Sequence, residues 1–240
     1  MKKTIAICGG LGELGQDYCK THNENKYVLI DIVAEPEWLS EAVREYEYIK
    51  ADITDGERLE NAISNALGSK KASIDALLCT PAHNAFKRLS DMSYEEIDLD
   101  YRTKIYGYTY LIKAFLPLFN DHCSVVCVGS VHGTRTKPQH APYAAANAAI
   151  EALVRALATE YPNKHRFNVV SPGGIVGAHY KERYSDIWEE ASKSGQIQPI
   201  ENITNVIDFL FDDKSSAING QNITLDGGIS SLRAESTNWQ

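Results

Sequence analysis

The 240-residue sequence predicts one α/β domain, a doubly wound parallel sheet with helices on both faces. Three observations carry this. Short apolar runs alternate with helical patterns along the whole chain. The first run ends in a glycine-rich turn, Gly9-Gly10-Leu11-Gly12-Glu13-Leu14-Gly15, where a helical pattern begins. The second ends in a carboxylate, Asp31, sixteen positions after Gly15. Strand, glycine turn, helix, strand and acid in that order make the arrangement that binds a dinucleotide.

The elements follow in order. Residues 4–8 are the first strand. The glycines after it let the backbone turn sharply and approach a pyrophosphate, and a helix N-terminus offers free N–H groups to it. Two registers fit, Gly10-x-Gly12-x-x-Gly15 and Gly9-x-x-Gly12-x-x-Gly15. Residues 13–24 are the first helix and 27–31 the second strand. Asp31 is placed to accept hydrogen bonds from adenosine ribose hydroxyls, which favours NAD and repels the extra phosphate of NADP. A helix over 37–46 leads to a strand over 48–55 with an acidic exit at Asp52. A helix over 56–67, a strand over 74–79 and a long tyrosine-rich helix over 93–119 come next. The strand at 124–130 precedes an alanine-rich helix over 142–161, stopped by Pro162. The strand at 166–171 ends at Pro172-Gly173-Gly174. Helices over 180–194 and 202–211 and a strand over 222–225 complete the pattern. In such a sheet, ligands bind at the carboxyl ends of the strands.

Composition narrows the partners. A net charge of -8 argues against nucleic acid or an anionic membrane. The apolar run after Met1-Lys2-Lys3 is too short for a secretory signal, and no stretch approaches a membrane span. The five cysteines are scattered with no Cys-x-x-Cys pair, which reads as free thiols in a reducing cytoplasm.

Further residues fall in register. Asp52-Ile53 follows the third strand, and Ser130 precedes Tyr143 by thirteen positions. Asn168 leads to Ser171-Pro172-Gly173, and Asn219-Gly220-Gln221 leads to Leu225-Asp226-Gly227-Gly228. With the glycine turn and Asp31, these resemble the short-chain dehydrogenase/reductase family over nearly the whole chain. The resemblance implies a single Rossmann-type domain that uses NAD, with NADP the lesser choice. It implies interconversion of a hydroxyl and a carbonyl on a small polar substrate. It assigns the cofactor to Gly9, Gly12, Glu13, Leu14, Gly15, Asp31, Asp52, Ile53, Cys79, Thr80, Pro81, Pro172, Gly173 and Ile175, and catalysis to Ser130 and Tyr143. It also implies a homodimer or homotetramer, assembled through the helices at 93–119 and 142–161. The glycine turn and Ser171-Pro172-Gly173-Gly174-Ile175 are similar to members associated with surface-sugar biosynthesis.

The chain departs from the family at informative places. Cys79-Thr80-Pro81-Ala82 stands where the family has Asn-Asn-Ala-Gly. Gly177 replaces the threonine that usually holds the carboxamide. Tyr143-Ala144-Ala145-Ala146-Asn147 replaces Tyr-x-x-x-Lys, and Lys104 stands at the family's catalytic asparagine. A phenol has a pKa near 10 and needs a nearby cation to work as an acid/base at neutral pH. Asn147 shares the helix face of Tyr143 but carries no charge. The two residue types have traded places, so Lys104 is expected to bring its ammonium to Tyr143 from the neighbouring helix. The rival expectation is a cofactor-binding sensor or scaffold without dehydrogenase activity. His132, His140 and His179 flank the cleft without metal-ligand spacing, so no metal is expected. Ser130 lacks the Gly-x-Ser-x-Gly elbow of a hydrolase. The variable segment 176–200 is expected to cover the substrate. The tyrosines at 101, 106, 108 and 110 are expected in packing or an interface rather than in catalysis.

Overall fold

Seven of the apolar runs pair side by side into one parallel sheet. The computed structural model describes residues 2–68, 73–176 and 197–231. The strands are β1 (Thr4–Cys8), β2 (Lys26–Asp31), β3 (Tyr46–Lys50), β4 (Ile74–Cys79), β5 (Phe119–Val128), β6 (Arg166–Pro172) and, last in the chain, β9 (Asn222–Leu225). They lie in the order β3-β2-β1-β4-β5-β6-β9. Strand order reverses between β1 and β4, and a crevice opens there at the carboxyl ends. Cys8 pairs with both Ile30 and Cys79, and Cys79 with Cys127, so four strands end within a residue of one another at that crevice.

Both sheet faces are apolar, as parallel strands require. Helices α3 (Gly56–Leu67), α5 (Gly107–Phe115) and α6 (Ala141–Glu160) cover one face, with Leu59, Ile63, Leu111, Phe115, Ile150 and Val154 buried beneath them. Helices α1 (Glu13–Thr21) and α7 (Ile200–Phe211) cover the other over Tyr18, Ile203, Ile207 and Leu210. The Asp55 carboxylate caps α3 by accepting from the Arg58 N–H at 3.2 Å, and Ser93 and Glu96 form a capping box on α4 (Tyr94–Tyr101).

Three expectations are corrected. The helix over 37–46 shrinks to a single turn, α2 (Leu39–Ala42), because Tyr46, Glu47, Tyr48 and Ile49 pair with Tyr27, Val28, Leu29 and Ile30. The Tyr-Glu-Tyr-Ile alternation there outweighs the helical pattern. The fifth strand starts at Phe119, five residues early. The 93–119 helix breaks into α4 and α5 around a π turn, Arg102–Tyr106, and ends in a 3-10 turn at Leu116–Leu118. A short pair of strands, β7 (Gly174–Val176) and β8 (Ile197–Pro199), was not foreseen. The helix expected over 180–194 lies outside the described residues. Among the described residues, no helix is long and apolar enough to cross a membrane.

Candidate active site

β1 delivers the glycine turn to the crevice. Gly9 has φ +76°, and a Cβ there would sit 2.2 Å from Thr80 Oγ1. That hydroxyl donates to the Cys8 carbonyl at 2.9 Å, tying the segment after β4 to the turn. A Cβ on Gly15 would come within 2.8 Å of Gly9 and Gly10 backbone, so α1 begins flush against the turn. Gly12 caps α1 without a side-chain cap bond, so no capping side chain stands over the helix N-terminus at the turn. Asp31 stands beside the turn. Its carboxylate accepts from the Leu11 N–H at 3.0 Å and the Ile32 N–H at 2.8 Å. Ile32 and Val33 follow it exposed, an apolar shelf that sequence reading missed. Asp52 is exposed and accepts from the Thr54 N–H, whereas Ile53 is buried and packs where a Cβ on Gly107 would fall.

A cavity of about 760 Å³ runs from this turn across the crevice. Gly12, Glu13 and Leu14 line one end, and Ser130, Tyr143, Lys104, Pro172, Gly173 and Ile175 line the rest. Ser130 follows β5 and accepts from the His132 N–H at 3.3 Å. Tyr143 sits in the first turn of α6. Burial raises its phenol pKa, opposed by hydrogen bonds from the Ser130 and Asn147 side chains. Asn147 is buried and donates to the Tyr143 carbonyl at 2.8 Å. Its Oδ1 is buried with no partner among the described residues.

Lys104 reaches the cavity by another route than expected. The π turn directs it inward, where it is 3% exposed. Its ammonium donates to the Val128 carbonyl at 2.6 Å, the Tyr108 hydroxyl at 2.9 Å and the Pro81 carbonyl at 3.2 Å. These three bonds use all its donors. None of these bonds goes to Tyr143, so any influence of Lys104 on its hydroxyl is through space. Burial pulls the Lys104 pKa down to about 8. Tyr108, expected only to pack, is fully buried in this network, and its hydroxyl lies within hydrogen-bond distance of the Pro81 and Val128 carbonyls, 3.1 Å from each. Tyr110 does pack, against Gly56.

Imidazoles form the far wall. The rings of His132 and His140 lie 4.2 Å apart, each about 6 Å from the Tyr143 ring. Burial pulls both pKa values down, that of His132 to about 4 with help from His140 and Lys137. The native state therefore refuses protons that the unfolded chain accepts below pH 6.5. Stability should fall as pH drops from 6.5 toward 4. His132 is only partly buried, and solvent screens the effect to about 1 kcal/mol. Urea denaturation at pH 7 and 4.5 checks this: His132→Asn should lose less stability than the parent, and equal losses would contradict it. His83 and Asp100 also meet at the cavity, with Nδ1 and Oδ1 2.7 Å apart, a contact sequence reading missed. No cluster of metal-ligating residues occurs among the described residues. All five cysteines are buried and free. Gly177, His179 and nearly all of segment 176–200 lie outside the described residues.

A family model described as enoyl-(acyl carrier protein) reductase matches residues 24–230. The chain belongs to the short-chain dehydrogenase/reductase family. Among relatives, it is 30% identical over 186 residues to dehydrogenase/reductase SDR family member 4 of Mus musculus, covering 72% of this chain and 64% of that one. It is 26% identical over 232 residues to an NADP-dependent mannitol dehydrogenase of Hypocrea jecorina, covering 93% and 86%. Its fold matches the ligand-free aldohexose dehydrogenase of Thermoplasma acidophilum with a TM-score of 0.86 at 20% identity, over 98% of this chain and 97% of that one. The family and its Rossmann-type sheet imply oxidoreductase chemistry with a nicotinamide cofactor.

Proposed function

We propose that this member of the short-chain dehydrogenase/reductase family uses NAD to interconvert a hydroxyl and a carbonyl on a small polar, sugar-related substrate. The observation that carries the reading is the convergence of Ser130, Tyr143 and the open end of α1 on one cavity. The sugar assignment draws on the mannitol and aldohexose dehydrogenases that the chain resembles.

The residues present fit the cofactor. Gly9, Gly12 and Gly15 shape a turn with no side chain in the way, and the N–H groups of Glu13, Leu14 and Gly15 suit a pyrophosphate. Asp31 suits the adenosine ribose, with the acidic exit of β3 at Asp52 and Ile53 nearby in the family pattern. Thr80, with Cys79 and Pro81, holds the turn from the β4 side, and Pro172, Gly173 and Ile175 form the nicotinamide end. The Asn147 Oδ1, without a partner among the described residues, is a ready acceptor for a ribose hydroxyl. The bound nicotinamide supplies or receives a hydride.

The chain's own residues handle the proton. Ser130 and Tyr143 hydroxyls both donate to the reacting oxygen, and Tyr143 transfers its proton there. Asn147 orients Tyr143. Lys104 supplies positive charge from the cavity wall. A phenol held protonated by burial is equipped to give a proton, which suits reduction at neutral pH.

Steady-state assays of sugars, polyols and small ketones with both cofactors test the reading; turnover by none of them would favour the sensor or scaffold alternative. Asp31 is the selector. Asp31→Ala should narrow the preference for NADH over NADPH, since both ribose bonds and phosphate repulsion are lost. Fluorescence titration checks it, and tighter NADPH binding by the parent would sink the assignment. The reading includes a homo-oligomer built on α4, α5 and α6, with Tyr94 and Leu99 exposed on α4 and Tyr106 exposed on the π turn. Sedimentation at micromolar concentration should give at least a dimer, and a monomer would rule it out.

A further inference from the structure

The segment after β4 places one imidazole where the family pattern assigns nothing. His83 lines the cavity together with Ser130 and Tyr143, and its side chain is 33% exposed. Its Nδ1 meets Asp100 Oδ1 at 2.7 Å. Asp100 is 2% exposed, and its Oδ2 is buried without a partner among the described residues. A buried carboxylate needs a donor, and His83 is the one hydrogen-bonded to it here. Nδ1 then carries the hydrogen, and in the neutral ring that tautomer has its lone pair on Nε2. The loop is shaped to hold this arrangement. Asn84 Oδ1 accepts from the Phe86 N–H at 2.9 Å, Phe86 takes φ 55°, and its ring packs edge-on against His140 at 5.4 Å.

We propose that His83, oriented by Asp100, binds substrate by accepting a hydrogen bond from a hydroxyl other than the reacting one. This rests on the reading of the cavity as the site of hydroxyl–carbonyl interconversion. Ser130 and Tyr143 donate, so they select an oxygen acting as acceptor. His83 offers the opposite polarity and selects an O–H. The pair fits a polyol or a hydroxyketone better than a simple alcohol. His132 and His140 are neutral at pH 7 and do not turn this wall into an anion site. Asp100 touches no substrate and is a positioning residue.

The test uses the full chain, labelled with ¹⁵N-histidine, at pH 7, with and without saturating NAD. The probes are trans-1,2-cyclohexanediol, cyclohexanol and acetate. His83 should show a lone-pair Nε2 resonance without any probe. The diol should shift that resonance and cyclohexanol should not. The diol should bind about fivefold tighter than cyclohexanol, the worth of one net hydrogen bond, and His83→Phe should remove the preference. Asp100→Asn should mix the two tautomers while the circular dichroism stays unchanged, because an amide offers Nδ1 either an oxygen or an N–H. A hydrogen on Nε2 in the parent, a preference that survives His83→Phe, or a shift with acetate instead of the diol would each overturn the inference. If NAD shifts no resonance in the protein, the cofactor reading fails. The diol response without NAD still decides the role of His83.

Discussion

Tyr143→Phe should lower turnover by roughly 10²–10⁴-fold, the range for loss of a positioned general acid, while NADH binding stays close to that of the parent. The hydroxyl is the only group removed. Tyr143 lines the cavity together with Ser130, and burial holds its proton in place. The ring remains, so the contacts that shape α6 and the imidazole wall persist. Binding should therefore survive and chemistry should not. Steady-state kinetics beside an NADH titration separates the two. A variant that keeps turnover within about tenfold of the parent would lie outside the general-acid range and would move the proton to another donor.

Lys104→Met should change both activity and the pH dependence of stability. In the native state this lysine titrates near 8 because it is buried, against an ordinary 10.5. The displacement corresponds to roughly 3 kcal/mol at about 1.4 kcal/mol per pKa unit. The sign follows from proton counts. Between pH 8 and 10.5 the unfolded chain holds a proton that the native state has released, so this group's contribution to stability rises with pH across that window. Methionine has no such term. The stability of the parent minus that of the variant should therefore grow by up to roughly 3 kcal/mol between pH 7 and 10.5. Urea denaturation of both proteins across the window measures it, and a constant gap would contradict a buried, titrating Lys104. Parent turnover should fall as pH rises through about 8, when the ammonium loses its charge. Lys104→Met should also lower turnover at pH 7, and Asn147→Lys in that background should restore part of it by returning a cation to the Tyr143 helix.

Much of the architecture was legible because local signals agreed. Residues 56–67, 74–79 and 222–225 form their elements at the expected bounds. Asp55 caps the first of these, and the strands are dense apolar or β-branched runs. Where signals conflicted, tertiary pairing prevailed. Tyr46 reads equally as helix end or strand start, and its partner Tyr27, remote in sequence, decides it. The π turn adds a residue inside a run that remains helical in composition, so periodicity averages over it. Its consequence was hidden too. Lys104 reads as a helix lysine at the family's asparagine position, but which backbone oxygens meet its ammonium depends on the ends of β4 and β5. The His83–Asp100 contact joins a loop to a helix seventeen residues on, a separation with no local periodicity. Ser130 and Tyr143 were legible as a pair from their spacing, and they do face one cavity.

Hydride transfer itself is the most direct measurement. The protein is incubated with NADH deuterated at the transferable position and a panel of aldoses, ketoses and small hydroxyketones, and products are read by mass spectrometry. Deuterium should appear on the carbinol carbon of at least one product, at a rate lowered by roughly 10²–10⁴-fold when Tyr143→Phe replaces the parent. NADH that binds but passes no deuterium to any member of the panel would contradict an active oxidoreductase and leave a cofactor-binding sensor or scaffold.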